Sequence, residues 1–141
     1  MRVPIPIKNK KHLPMNNIAS ILLLVFLAIT FLQSSQDKLF HWKDNLDWLK
    51  EHFKDTVLRN QVPLALVNVL ILELISGILC TVGAIELALN SGRVYGLYGA
   101  IFSSLTLIML LFGQRLAKDY DGARTIVLYF IPSVMAVYWL N

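Results

Sequence analysis

Four long apolar runs, at about 17–33, 63–89, 94–113 and 125–140, constrain this chain more than any other feature. A helix needs roughly 20 apolar residues to cross about 30 Å of hydrocarbon. Each run approaches or reaches that length. Hydrophobic residues make up 56% of the chain and charged residues 16%, against about 25% charged in a soluble domain. The reading is therefore an all-α, integral membrane four-helix bundle. It forms one domain over residues 17–141, behind a basic, proline-containing tail at 1–16.

The net charge of +4 does not point to nucleic acid. The basic residues stand beside the apolar runs, where they set orientation and meet anionic lipid head groups. Arg2, Lys8, Lys10 and Lys11 before an apolar stretch look like the start of a secretory signal. No small-x-small cleavage pattern follows, and the stretch runs on into Gln33, Gln36, Asp37 and Lys38, so it reads as a retained first helix. With the N-terminus inside, Arg2, Lys8, Lys10, Lys11 and Arg93 face the cytoplasm, while Lys38, Lys43, Lys50, Lys54, Arg59, Arg115, Lys118 and Arg124 face out, so a plain count favours the reverse orientation. Five of those eight belong to or flank the amphipathic segment, where Asp37, Asp44, Asp47, Glu51 and Asp55 balance them. The first helix usually sets topology, which favours both termini in the cytoplasm. Cys80 is the one cysteine, so neither an intrachain disulfide nor a CxxC motif is available.

Residues 39–59 differ from the runs around them. Leu39, Trp42, Leu46, Leu49, Phe53 and Val57 recur at spacings of three and four, which predicts one apolar helical face. Lys43, Asp44, Asp47, Lys50, Glu51, Lys54 and Asp55 fall mostly elsewhere. This is an amphipathic interfacial helix between the first and second membrane helices, lying on the membrane or packed as a lid over the bundle. Pro63 suits the first turn of the second membrane helix. Asn90-Ser91-Gly92 and Asp121-Gly122 read as turns, and Pro132 predicts a kink in a short fourth helix.

Glu73 carries the most chemical information. It falls about 15 Å into the second run at about 1.5 Å per residue. A carboxylate at that depth must face the bundle interior or a water-filled cavity. Ser76, Gly77, Cys80, Thr81 and Ala84 continue its face as a small and polar stripe, as a close helix seam requires. On the third run Gly92, Gly96, Gly99 and Ser103 form a second seam. Antiparallel threading gathers Gln33, Asp37 and Lys38, then Asn68 and Glu73, then Gln114 and Arg115, at one end of the bundle. Thr30, Thr125 and Tyr129 belong to the same end. These residues make a one-sided polar site, with Lys38 or Arg115 as the charge partner of Glu73. Its role is open between a structural ion pair and binding of a ligand or proton.

No metal or haem site is expected, because His12, His41 and His52 all lie outside the apolar runs. No phosphate-cradling loop, nucleophile elbow or paired-carboxylate constellation occurs. Independent catalytic activity is accordingly not expected.

Three stretches carry a family resemblance. Leu32-Gln33-Ser34-Ser35-Gln36-Asp37-Lys38-Leu39-Phe40 closes the first helix. Trp42-Lys43-Asp44-Asn45-Leu46-Asp47-Trp48-Leu49 follows in the connector. Leu72-Glu73-Leu74-Ile75-Ser76-Gly77-Ile78-Leu79 lies in the second run. Over about residues 17–88 this resembles the DoxX family of small four-helix bacterial membrane proteins, whose first helix closes on a Gly-x-x-Lys-like element and whose second carries Glu-x-x-x-Gly. Ser34 and Ser35 stand where that family often has glycine. Gly113 to Tyr120 looks like a signature of one branch, and the rest of the second half matches in layout only. The resemblance implies a bundle in the bacterial inner (cytoplasmic) membrane, with Lys38 and Glu73 as family positions. It also implies a place in membrane complexes of quinone-dependent sulfur oxidation or oxidative stress. No resident cofactor is expected, and quinone is the candidate ligand. The functional expectation is a small subunit or scaffold of a redox-associated membrane complex, alongside the lipid bilayer and other membrane subunits as partners. The alternative is a small proton-coupled or solute-handling membrane protein that uses Glu73 as its titrating group.

Overall fold

Apolar sequence that must satisfy its own backbone in lipid folds as helix, and the four runs do so. The computed structural model describes residues 15–141, with side chains described from Asn17 onward. Its elements are α1 (Met15–Phe40), α2 (Trp42–His52), α3 (Val62–Asn90), α4 (Val94–Leu116) and α5 (Tyr120–Leu140). The four long helices, α1, α3, α4 and α5, are each long and apolar enough to cross a membrane. They form a ring in which α1 packs on α3, α3 on α4, α4 on α5 and α5 back on α1. Leu24, Leu27, Phe31, Leu87, Leu107 and Leu140 fill its centre. Outward-facing Leu22, Ile29, Leu64, Phe112 and Leu128 remain exposed. A bundle apolar both inside and out is built for lipid rather than water. The chain is a multi-pass membrane protein.

The helix ends explain several boundaries. Pro63 stands in the first turn of α3. Ser91 caps the other end in the left-handed region at φ 60°, and the Asn90 side chain accepts from the Gly92 N–H at 2.9 Å. The Asp121-Gly122 turn read from the sequence is instead the first turn of α5. Asp119 caps that helix, its side chain accepting from the Gly122 N–H at 2.9 Å. A cap at Asp119 starts α5 well before 125, and the helix runs on past Pro132 to Leu140. At the α1 end the helix continues beyond its apolar run through Asp37 and Lys38 to Phe40. At about 1.5 Å per residue its 26 residues reach about 39 Å, enough to carry the last turns out to head-group level.

The segment 39–59 is not one helix. Its start belongs to α1, and α2 ends at His52. Thr56 accounts for the stop. Its hydroxyl donates to the Phe53 carbonyl at 2.8 Å and accepts from the Leu58 N–H at 3.2 Å, the local side-chain bonding that competes with helix. Trp42, Leu46, Leu49 and Phe53 are half-buried along one face, as the spacing predicts, whereas Leu39 and Val57 are exposed. The helix packs against α3 and α1.

The small residues of α3 and α4 meet along part of the two stripes, while Gly77 faces Leu32 of α1 and Gly92 lies ahead of α4 beside Glu86. A Cβ on Gly83 would overlap the backbone of Gly96, and one on Gly99 would lie 2.8 Å from the backbone nitrogen of Cys80. Ser76 pairs with Thr106 at 3.4 Å, and Cys80 with Ser103 at 3.5 Å, along the same seam.

Candidate polar site

In a helix every Cα–Cβ bond tilts toward the N-terminus. On α1 that sends Lys38 back toward the membrane interior. On antiparallel α3 it sends Glu73 the opposite way, toward the end of α1. The two side chains converge. Lys38 Nζ donates to Glu73 Oε1 at 3.2 Å and lies 3.1 Å from Oε2. The second contact is ionic without hydrogen-bond alignment, since Oε2 has no hydrogen-bond partner. Ser34, one turn before Lys38, completes the group. Its hydroxyl donates to Glu73 Oε1 at 3.0 Å and accepts from Lys38 Nζ at 2.7 Å. Glu73 is 2% exposed and the Lys38 side chain 16%. Gly77 makes this approach possible. A Cβ there would lie 2.7 Å from the Leu32 side chain and 3.2 Å from the Leu32 backbone nitrogen.

Of the seven residues gathered from the sequence, Lys38 and Glu73 come together. Arg115 does not join them; its guanidinium lies over the Tyr120 ring, 4.9 Å from the centroid. Gln33, Asp37 and Asn68 are exposed rather than buried, because α1 stays helical through this stretch and turns Gln33 and Asp37 away from the pair. Asp37 instead lies 3.4 Å from His41 Nδ1. Gln114 does not touch the pair, although it lines the same cavity as Lys38 and Asn68. It pairs with His52 Nε2 at 2.9 Å, and Asp119 lies 3.6 Å from the same nitrogen. His52 also stacks on Trp48, with centroids 4.5 Å apart. This corner ties the end of α2 to the α4–α5 connection.

Two participants carry little signal in the sequence. Ser34 registered only as a departure from a glycine pattern. Its signal was the spacing of four to Lys38, which places both on one helix face. His52 was weighed as a metal ligand, and no local pattern marks it as a strap between segments 62 residues apart. Among the described residues no group of three His, Cys, Asp or Glu side chains is arranged to hold a metal.

A cavity of about 680 Å³ adjoins the ion pair. Its roof is Trp48, Leu49, Phe53 and Leu58, and its floor is the first two turns of α3 with the last turns of α4. Lys38, Asn45, Gln61, Asn68 and Gln114 supply its polar groups.

At the opposite end a second polar contact closes the ring. Arg93 donates to the Trp139 carbonyl at 2.7 Å and to the Asn17 side chain. One residue thus ties the start of α1 to the end of α5. Comparison with known proteins adds no relative: no family model, curated protein or solved structure matches the chain.

Proposed function

We propose that this chain is a DoxX-like scaffold or small subunit of a redox-associated complex in the bacterial inner membrane, with both termini in the cytoplasm and no catalytic activity of its own. The observation that carries the reading is the closure of the polar group upon itself. Glu73 is spent on Lys38 and Ser34 within the bundle. A carboxylate so engaged holds helices in register; one that carries protons or solute needs a path to water. The proton-coupled alternative remains the second reading, supported by the cavity that Lys38 lines beside the pair. The outward faces of the long helices supply apolar surface suited to lipid or to neighbouring membrane subunits. Lys38 and Glu73, the two positions that the resemblance marks, are the residues that meet in this pair.

Affinity purification in mild detergent, with mass spectrometry of proteins and lipids in the same sample, tests the proposal. Stoichiometric partners that include redox subunits are the expected result. A monomer purified to homogeneity without partners, from cells whose oxidant sensitivity is unchanged by a Glu73→Gln substitution, would sink it.

A further inference from the structure

The cavity beneath α2 has the dimension and lining common to ligand sites. Binding pockets are typically about 300–1,000 Å³ and mostly apolar, with a few placed polar groups. This one is about 680 Å³ and is lined mostly by apolar side chains, with Lys38, Asn45, Gln61, Asn68 and Gln114 as the polar ones. Two features narrow the occupant. Leu64 and Phe112, both strongly exposed on the outer surface, also line the cavity. The cavity is therefore open to the surroundings of the bundle at these apolar side chains. The second feature is charge. The one ionic group in the lining, Lys38, is matched by Glu73, so the pair is net neutral. A charged head group would enter a low-dielectric site with no counter-charge left for it. The remaining polar groups are amides, which both donate and accept hydrogen bonds.

We propose that the cavity binds an uncharged glycerolipid, its hydroxyl and ester groups meeting the amides of Gln61 and Asn68 and its acyl chain lying on the α3–α4 floor. A hydroxyl-bearing ester satisfies both halves of an amide, whereas a quinone offers acceptors alone. The proposal is independent of the scaffold reading, since a scaffold with no bound lipid and a lipid-binding monomer are separate outcomes.

Trp48 provides the probe. Trp42→Phe with Trp139→Phe leaves it as the one remaining tryptophan of three. The protein is placed in phosphatidylcholine vesicles, and a monoacylglycerol brominated in mid-chain is titrated in. Saturable quenching of Trp48 fluorescence is the expected result, with brominated phosphatidylglycerol giving only a rise proportional to its mole fraction. Ala65→Phe, which fills the floor, should abolish the saturable part. Because that variant risks misfolding, Gln61→Leu and Asn68→Leu serve as a second pair. Both alter exposed side chains, and each should weaken saturation by about fivefold, as loss of one hydrogen bond predicts. Three results would overturn the proposal: quenching that never saturates, saturation unaltered by Gln61→Leu and Asn68→Leu, or saturation relieved by added quinone and not by unlabelled monoacylglycerol.

Discussion

Removing Lys38 should harm the fold more than removing Glu73, and removing both should harm it less than removing Lys38 alone. A buried pair gives little net stability, yet breaking it strands an uncompensated charge at a cost of about 3–5 kcal/mol. The two partners are not equally stranded. Glu73 is 2% exposed and fixed about 17 Å along α3 at about 1.5 Å per residue. In Lys38→Met it retains only Ser34, so a loss of about 3 kcal/mol is expected. The Lys38 side chain is 16% exposed and near the end of α1. In Glu73→Leu it swings toward the head groups, as lysines near helix ends do, and the loss is about 1 kcal/mol. Lys38→Met combined with Glu73→Leu leaves no orphan charge and should come within about 1 kcal/mol of the parent. The assay is reversible unfolding in mixed micelles followed by far-ultraviolet circular dichroism, run as a double-mutant cycle. Additive losses, or a Glu73→Leu loss larger than that of Lys38→Met, would refute the reasoning.

Three further outcomes follow from the same geometry. Gly99→Ala pushes a methyl group into the backbone of α3 at Cys80 and should cost about 1–3 kcal/mol as an overpacked seam, read by the same unfolding assay. His52→Ala removes the strap to Gln114 and Asp119; hydrogen exchange across residues 42–61 should speed by about fivefold, as the loss of about 1 kcal/mol dictates, while the exchange of α4 stays unchanged. Arg93→Ala frees the Trp139 carbonyl and the Asn17 side chain, and a loss of about 1.5–3 kcal/mol, with faster exchange confined to the last turn of α5 and the first of α1, is the expected signature.

The long helices were legible because lipid leaves the chain few options: length and apolarity alone define a span. The two seams were legible for a related reason. Small residues at helical spacing have no purpose on a lipid-facing surface, and Cys80, Gly96, Gly99 and Ser103 from those stripes lie where α3 and α4 touch, joined by Gly83, which lay outside the stripe. Glu73 was found from its depth. Its partner was left open between Lys38 and Arg115, because proximity at one end of a bundle does not fix which face each residue occupies. Asp37 and Gln33 were gathered with the site for that reason and lie on other faces of α1. The break after His52 escaped notice because apolar spacing continues to Val57, while a single threonine hydroxyl decides the local backbone. The cavity had no sequence signature, since its roof and the start of α3, contiguous in the chain, enclose space only against the distant last turns of α4.

The order of synthesis gives the Lys38–Glu73 pair a role in biogenesis as well. α1 precedes α3 along the chain, so Ser34 and Lys38 are made before Glu73 leaves the ribosome. An acidic residue at the centre of an isolated span raises the cost of insertion by about 2.5–3.5 kcal/mol. α1 offers the arriving α3 a cation and a hydroxyl at the matching height. α3 offsets that cost with the highest mean hydropathy of the four spans, 2.3, and Glu73 meets a cation already in place on α1 when the two helices pack.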